Sequence, residues 1–305
     1  MKKLLSLILS CVLMLSACAM ACAEAPAFTV AAPSGAPGLA LATLAVQAPE
    51  RYTFVAAETI TAEFASENAD FIIAPLNAGA KLYKMGKSTY KLAAVVSWGN
   101  LFVASQKENF TLDDINGATI TLFAENTINA SVARYALEAN GIAPVAIEYL
   151  GSAANTQSLL LTDAEAIVVT AEPALTAAKM KNDKITAYSI NELFKAATGF
   201  DGYTQAALFV KAETAANQPE AVNAFLAQVA EACAANTTDV AAVAEAAVAL
   251  GLLPNVKVAA AAIPNCAVRF MAAMDAREQV EATANIDLTQ FGGAVPADDF
   301  YYVAQ

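Results

Sequence analysis

The chain of 305 residues contains no histidine, one tryptophan and five cysteines, and only 15% of its residues are charged. Each shortage closes off a class of function. Without histidine there is no imidazole general base, no Ser-His arrangement and no His ligand for zinc. Basic residues are also scarce. Lys and Arg number 17 against 29 Asp and Glu, and setting aside Lys2 and Lys3 of the leader leaves 15 against 29, a net charge of −14. Nucleic acid is therefore excluded as a partner, because phosphate binding demands a basic surface. The spacings Cys-x-x-Cys, Gly-x-Gly-x-x-Gly, Gly-x-x-x-x-Gly-Lys-Ser/Thr and His-Glu-x-x-His are all missing. Scattered acids and hydroxyls do not make a catalytic set, and no cofactor or metal is expected.

The cysteines are few but not evenly spread: Cys11, Cys18 and Cys22 crowd the start, and Cys233 and Cys266 stand far apart in the second half. Lys2 and Lys3 form a positive n-region, and "LLSLILSCVLML" is an apolar stretch too short for a comfortable membrane span. This is an export leader. "LSAC" (15–18) matches the bacterial lipobox, so Cys18 becomes the first mature residue and carries lipid on its sulfur. The alternative is ordinary secretion with cleavage after "ACA", before Glu24. Acyl chains would hold the protein on the outer face of the cell membrane without threading it through. Cys233 and Cys266 either pair or remain buried small hydrophobes.

What remains, about 285 residues, suits one two-lobed domain or two medium ones. A 57% share of hydrophobic residues is enough for a sizeable core. Short β-rich runs alternate with helical stretches, which predicts an α/β fold with mainly parallel sheets. Strands are expected at "AFTVAA" (27–32), "YTFVAA" (52–57), "ADFIIAP" (69–75), "YKLAAVVSW" (90–98) and "LFVAS" (101–105). A second round of the same plan follows: "ATITLF" (118–123), "VAIEYL" (145–150), "AEAIVVTAEP" (164–173) and "ITAYSI" (185–190). "QAALFVKAE" (205–213) is a late strand, and the rest, including "NCAVRFMAAMDAREQVEATANI", reads as helix. The expected layout is leader 1–17, linker 18–26, first lobe 27–105, second lobe 106–204, and return to the first lobe over 205–305. Hinges are expected near 100–110 and 200–212.

Parallel sheets bind ligands at the carboxyl ends of their strands, so the loops after the strands hold the candidate binding residues. In "PSGAPG", Ser34, Gly35 and Ala36 either seat a polar ligand group on free amides at a helix start or simply punctuate a turn. Thr59 begins the short helix after the second strand. Pro75, Leu76 and Asn77 end the buried third strand, with Asn77 as a helix cap, a cleft residue or both. Asn126, Thr127 and Asn129 are cap types at the start of the second-lobe helix, which would face the first lobe's loops. Thr170 and Glu172 end a later strand, with Glu172 either recognising an amine or standing in a solvated loop. Trp98, in "SWGN", either stacks on a flat ligand or packs between lobes.

These residues resemble a known family. The leader and lipobox, "FTVAAPSGAPGLALATLA", "ADFIIAPLNAGAKLYKMG", "YKLAAVVSWGNLFVAS" and the ending "GGAVPADDFYY" are similar to the solute-binding proteins of ABC importers, in the nitrate/sulfonate/taurine and thiamine-precursor branch. The resemblance implies a two-lobed fold of the periplasmic-binding-protein-like type II class. In it, mixed, mainly parallel sheets flanked by helices enclose a hinged cleft. It also implies capture of a small organic solute by a monomer, delivery to the permease and ATPase subunits of an importer, and no chemistry on the solute. A metabolite-converting enzyme on the same fold is the competing class, and an adhesive surface lipoprotein a third. The strand-end loops lack Arg and Lys, so the cleft would hold an anion by backbone amides and neutral donors, or take a neutral or cationic solute instead.

Overall fold

The computed structural model describes residues 27–304; the leader with Cys18 lies outside the described residues. In chain order the strands are β1 (Val30–Pro33), β2 (Tyr52–Val55), β3 (Phe71–Pro75), β4 (Tyr90–Ser97), β5 (Leu101–Ser105), β6 (Thr119–Phe123), β7 (Ala146–Leu150), β8 (Ile167–Ala171), β9 (Thr186–Ser189), β10 (Ala206–Lys211) and β11 (Val268–Ala272). They form two sheets, ordered β11-β4-β10-β3-β1-β2 and β7-β6-β8-β5-β9. β1 runs parallel to β2 and β3, and β6 parallel to β7 and β8. β10, β11 and β5 run antiparallel to their neighbours. Four of the six strands in the first sheet and four of the five in the second therefore point one way. This is the mixed, mainly parallel arrangement the alternation implied.

Burial explains the strand sequences. β3 and β10 lie inside the first sheet with helices on both faces, so they read as apolar runs, "FIIAP" and "AALFV", with Lys211 only at the end of β10. The helix Pro219–Thr238 buries Val222, Phe225, Leu226, Val229 and Cys233 on one face of that sheet. Phe225 meets Phe71 at 4.5 Å and Phe28 at 5.7 Å between ring centroids. Full burial of one such ring stabilises by roughly 1.5–3 kcal/mol. Cys233 and Cys266 are both buried and unpaired.

The structure corrects the expected layout in three places. β5 belongs to the second sheet, between β8 and β9, so the first crossover is Trp98–Asn100 and not the end of the 27–105 segment. "VRFMA" (268–272), expected within a helix, is the edge strand β11; its β-branched and aromatic residues suit the exposed side of β4, and helix resumes only at Arg277. The helix Ile190–Thr198, capped by Ser189, is an element that the strand-helix alternation did not include.

The chain passes between sheets twice, at 98–100 and 199–205, and the two crossovers pack against each other. Gly99 and Gly202 have φ of +83° and +95°, and a Cβ on them would lie 2.3 Å from the Tyr203 ring and 2.3 Å from Trp98 O respectively. Only glycine fits both the backbone and the space. Asn191 Nδ2 donates to Trp98 O at 2.9 Å and to Gly99 O at 2.8 Å, fastening the second-lobe helix to the crossover.

The C-terminal segment ties the halves together on another side. Ser131 Oγ of the second lobe donates to Asp287 Oδ2 at 2.7 Å, and the chain end returns to the first sheet where Tyr302 N donates to Leu92 O at 2.7 Å. Among the described residues no helix is long and apolar enough to cross a membrane.

Candidate functional site

A cleft of about 380 Å³ opens between the sheets. First-sheet strand ends supply Pro33, Ser34 and Pro37 after β1, Ala57 and Ile60 after β2, and Pro75, Asn77 and Ala78 after β3. The second lobe supplies Asn126, Thr127, Ile128 and Asn129 after β6; Gln205 and Ala206 come from the second crossover, and Gln290 from the C-terminal segment. Five carboxamide side chains line the space and no charged one does.

Of the residues singled out in sequence, Ser34, Pro75, Asn77, Asn126, Thr127 and Asn129 line the cleft. Thr127 caps the helix Ile128–Ala139, its Oγ1 accepting from Ala130 N at 3.4 Å. Asn126 sits in the left-handed region at φ 61°, a conformation asparagine tolerates. Gly35 (φ 91°) and the buried Ala36 stand behind Ser34 without lining the space. Their loop is a poorer anion seat than expected. Ser34 N already donates to Val55 O at 2.8 Å, Gly38 N donates to Gly35 O at 3.1 Å, and Pro37 has no N–H.

Five further candidates lie away from the cleft lining, for identifiable reasons. Thr59 is exposed and turned back on its own loop, Oγ1 donating to Ala56 O at 2.9 Å. Leu76 is fully buried in the core beneath its helix. Thr170 is fully buried and donates to Ala153 O at 3.3 Å. Glu172 is 4% exposed and does not line the cleft. Its carboxylate accepts from Thr176 N at 3.0 Å and from Thr176 Oγ1 at 2.8 Å. Burial pushes its pKa up against the pull of those bonds and of the Lys179 charge. Trp98 packs behind the crossover: it is 1% exposed, its Nε1 donates to Arg269 O at 2.8 Å, and the Arg269 guanidinium lies 4.4 Å above its ring.

Gln205 and Gln290 escape a reading of the sequence. Gln205 and Gln290 come from a crossover and from a strand-free segment, which no strand-end rule reaches. They organise the polar floor. Gln205 Nε2 donates to Asn100 Oδ1 at 3.0 Å and to Asn129 Oδ1 at 3.2 Å, while its Oε1 accepts from Ser97 Oγ at 2.9 Å. Gln290 Nε2 donates to Asn126 O at 3.0 Å and its Oε1 accepts from Asn77 Nδ2 at 3.4 Å, so one side chain touches both lobes across the cleft. Leu76 N, the first amide of the helix after β3, is taken by Gln205 O at 3.1 Å.

Two α/β lobes joined by two crossovers, with strand-end loops meeting over a cleft, define the periplasmic-binding-protein fold. The chain shares this fold with solved structures that include substrate-binding proteins of ABC transporters. An ABC transporter protein from Parabacteroides distasonis superposes with a TM-score of 0.79 at 19% identity, covering 91% of this chain and 99% of that one. The periplasmic aliphatic sulphonate binding protein SsuA from Escherichia coli gives 0.70 at 14% identity, over 91% and 92%. A Candida albicans gene product described as having the generic periplasmic binding protein structural fold gives 0.52 at 12% identity, over 90% and 93%. No protein-family model matches the sequence, and no curated protein does.

Proposed function

We propose that this chain is an extracytoplasmic solute-binding lipoprotein that captures a small organic solute in the inter-lobe cleft and hands it to an ABC importer. The observation that carries the reading is the cleft itself, lined from both lobes by neutral polar side chains and apolar walls. It favours binding over catalysis, because no carboxylate, thiol, amine or phenol lines it to serve as acid, base or activated nucleophile. The likeness in fold to a sulphonate-binding protein supports the transport role. The lipobox supports the anchor, and the crossovers at 98–100 and 199–205 are the hinge on which the lobes would close.

A thermal-shift screen of the mature protein against small metabolites tests the reading. A solute at about 100 times its Kd stabilises by about 2.7 kcal/mol. That corresponds to a rise of roughly 5 °C for a chain of this size. A broad panel with no shift would contradict the function. For the anchor, Cys18→Ser should release the protein from membrane fractions or block its processing; full membrane retention with cleavage before Glu24 argues against lipidation.

A further inference from the structure

The side chains around the cleft are fixed in polarity by hydrogen bonds that begin at main-chain carbonyls, which can only accept. Glu172 O accepts from Asn100 Nδ2 at 3.0 Å, so Asn100 turns its oxygen to Gln205 Nε2, 3.0 Å away. The same Nε2 faces Asn129 Oδ1 at 3.2 Å, and Tyr203 OH donates to that oxygen at 2.9 Å. Asn129 therefore turns its oxygen toward the crossovers and its amide NH2 away from them, and no acceptor among the described residues meets that NH2. The second relay begins at Asn126 O. It accepts from Gln290 Nε2, so Gln290 Oε1 faces Asn77 Nδ2, and Asn77 Oδ1 is left buried without a donor. The Asn77–Gln290 bond is long at 3.4 Å, so the Asn77 amide can swing its oxygen toward a better donor.

The second lobe thus offers a fixed donor and the first lobe an acceptor that lacks a partner. An acceptor-only anion such as a sulfonate would leave Asn77 Oδ1 facing oxygen, and a cation would meet the positive edge of the Asn129 amide. Either charge would be closed into a cleft with no counter-ion among its lining side chains. Pro33, Pro37, Ile60 and Ile128 supply apolar walls.

Resting on the reading of this cleft as the solute site, we propose that it selects an uncharged solute with an amide-type edge. The solute presents a carbonyl or ring acceptor to Asn129 Nδ2 and an N–H to Asn77 Oδ1. Cyclic amides, ureides and oxo-pyrimidines are the class.

The test is calorimetric and thermal-shift titration of the mature protein with 2-pyrrolidone, hydantoin and uracil, beside ethanesulfonate and choline. At least one amide-edge probe should bind, and the two charged probes should not. Asn129→Asp, which keeps the size but replaces the donor by an acceptor, should weaken that probe about tenfold or more, the equivalent of one lost hydrogen bond. Asn77→Leu should weaken it, whereas Asn77→Asp, which keeps an acceptor, should retain more of the affinity than Asn77→Leu. Melting of each unliganded variant checks that it folds, and the two positions test the inference separately. Silence from all three amide-edge probes overturns the inference whatever else binds, as does unchanged affinity in a folded Asn129→Asp. If ethanesulfonate or choline binds instead, only this inference falls and the solute-binding reading stands; if no solute in a broad panel binds, both fall.

Discussion

Replacing Asn100 by alanine should cost more than its size suggests. Asn100 is 6% exposed and sits where the chain passes from the first sheet to the second. Its Nδ2 satisfies Glu172 O at 3.0 Å and its Oδ1 receives Gln205 Nε2 at 3.0 Å. In Asn100→Ala, Gln205 Nε2 still has Asn129 Oδ1, so that side loses one net hydrogen bond, roughly 0.5–1.5 kcal/mol. Glu172 O loses its side-chain donor inside the protein, a penalty of roughly 1–3 kcal/mol. The sum is about 1.5–4.5 kcal/mol, or a fall in Tm of roughly 3–8 °C. Thermal unfolding followed by emission of Trp98, the only tryptophan, reads the loss at the crossover itself. Thr59→Ala is the control. It removes one exposed hydroxyl bond, to Ala56 O at 2.9 Å, and should cost only about 0.5–1.5 kcal/mol. If Asn100→Ala melts within about 1 °C of the parent, the crossover is not held by this relay.

Three further outcomes follow from the same structure. Gly202→Ala places a Cβ 2.3 Å from Trp98 O at a φ of +95° and should destabilise by about 2–4 kcal/mol; an unchanged melt would contradict the packing of the two crossovers. Glu172 has its pKa raised by burial, so the folded state holds its proton more tightly than the unfolded state. Its contribution to stability is present below the unfolded-state pKa and is lost as pH rises through the folded one. Glu172→Gln should therefore melt at or above the parent near neutral pH, with the advantage shrinking on acidification; a deficit that is largest near neutrality would refute this. Cys233 and Cys266 are buried, and burial pushes the Cys233 thiol up to about 12. Neither should react with a thiol reagent until the protein is unfolded, and fast native labelling would contradict their burial.

The parts legible in sequence were those with local causes. β3 announced itself as an apolar run bounded by Pro75, and Asn77, Asn126 and Thr127 as polar residues at helix starts after strands. β5 reads by position as part of the first lobe, because its partners, β8 and β9, lie more than sixty residues downstream and strand composition does not say which sheet accepts a strand. "VRFMA" was read as helix because it stands between two Ala-rich helical stretches, and only the open edge of β4 makes it a strand. Thr170, Glu172 and Trp98 are the residue types that binding sites use, yet each finds a protein partner in the interior. Gln205 and Gln290 reach the cleft only through tertiary structure.

A crystal structure of the mature protein with the solute that gives the largest thermal shift tests the central claim most directly. Solute density should lie between the two sheets, within hydrogen-bond reach of Asn129 and Asn77 and bounded by Gln205 and Gln290. Density at an outer groove of either lobe, with the inter-lobe cleft holding only water, would contradict it.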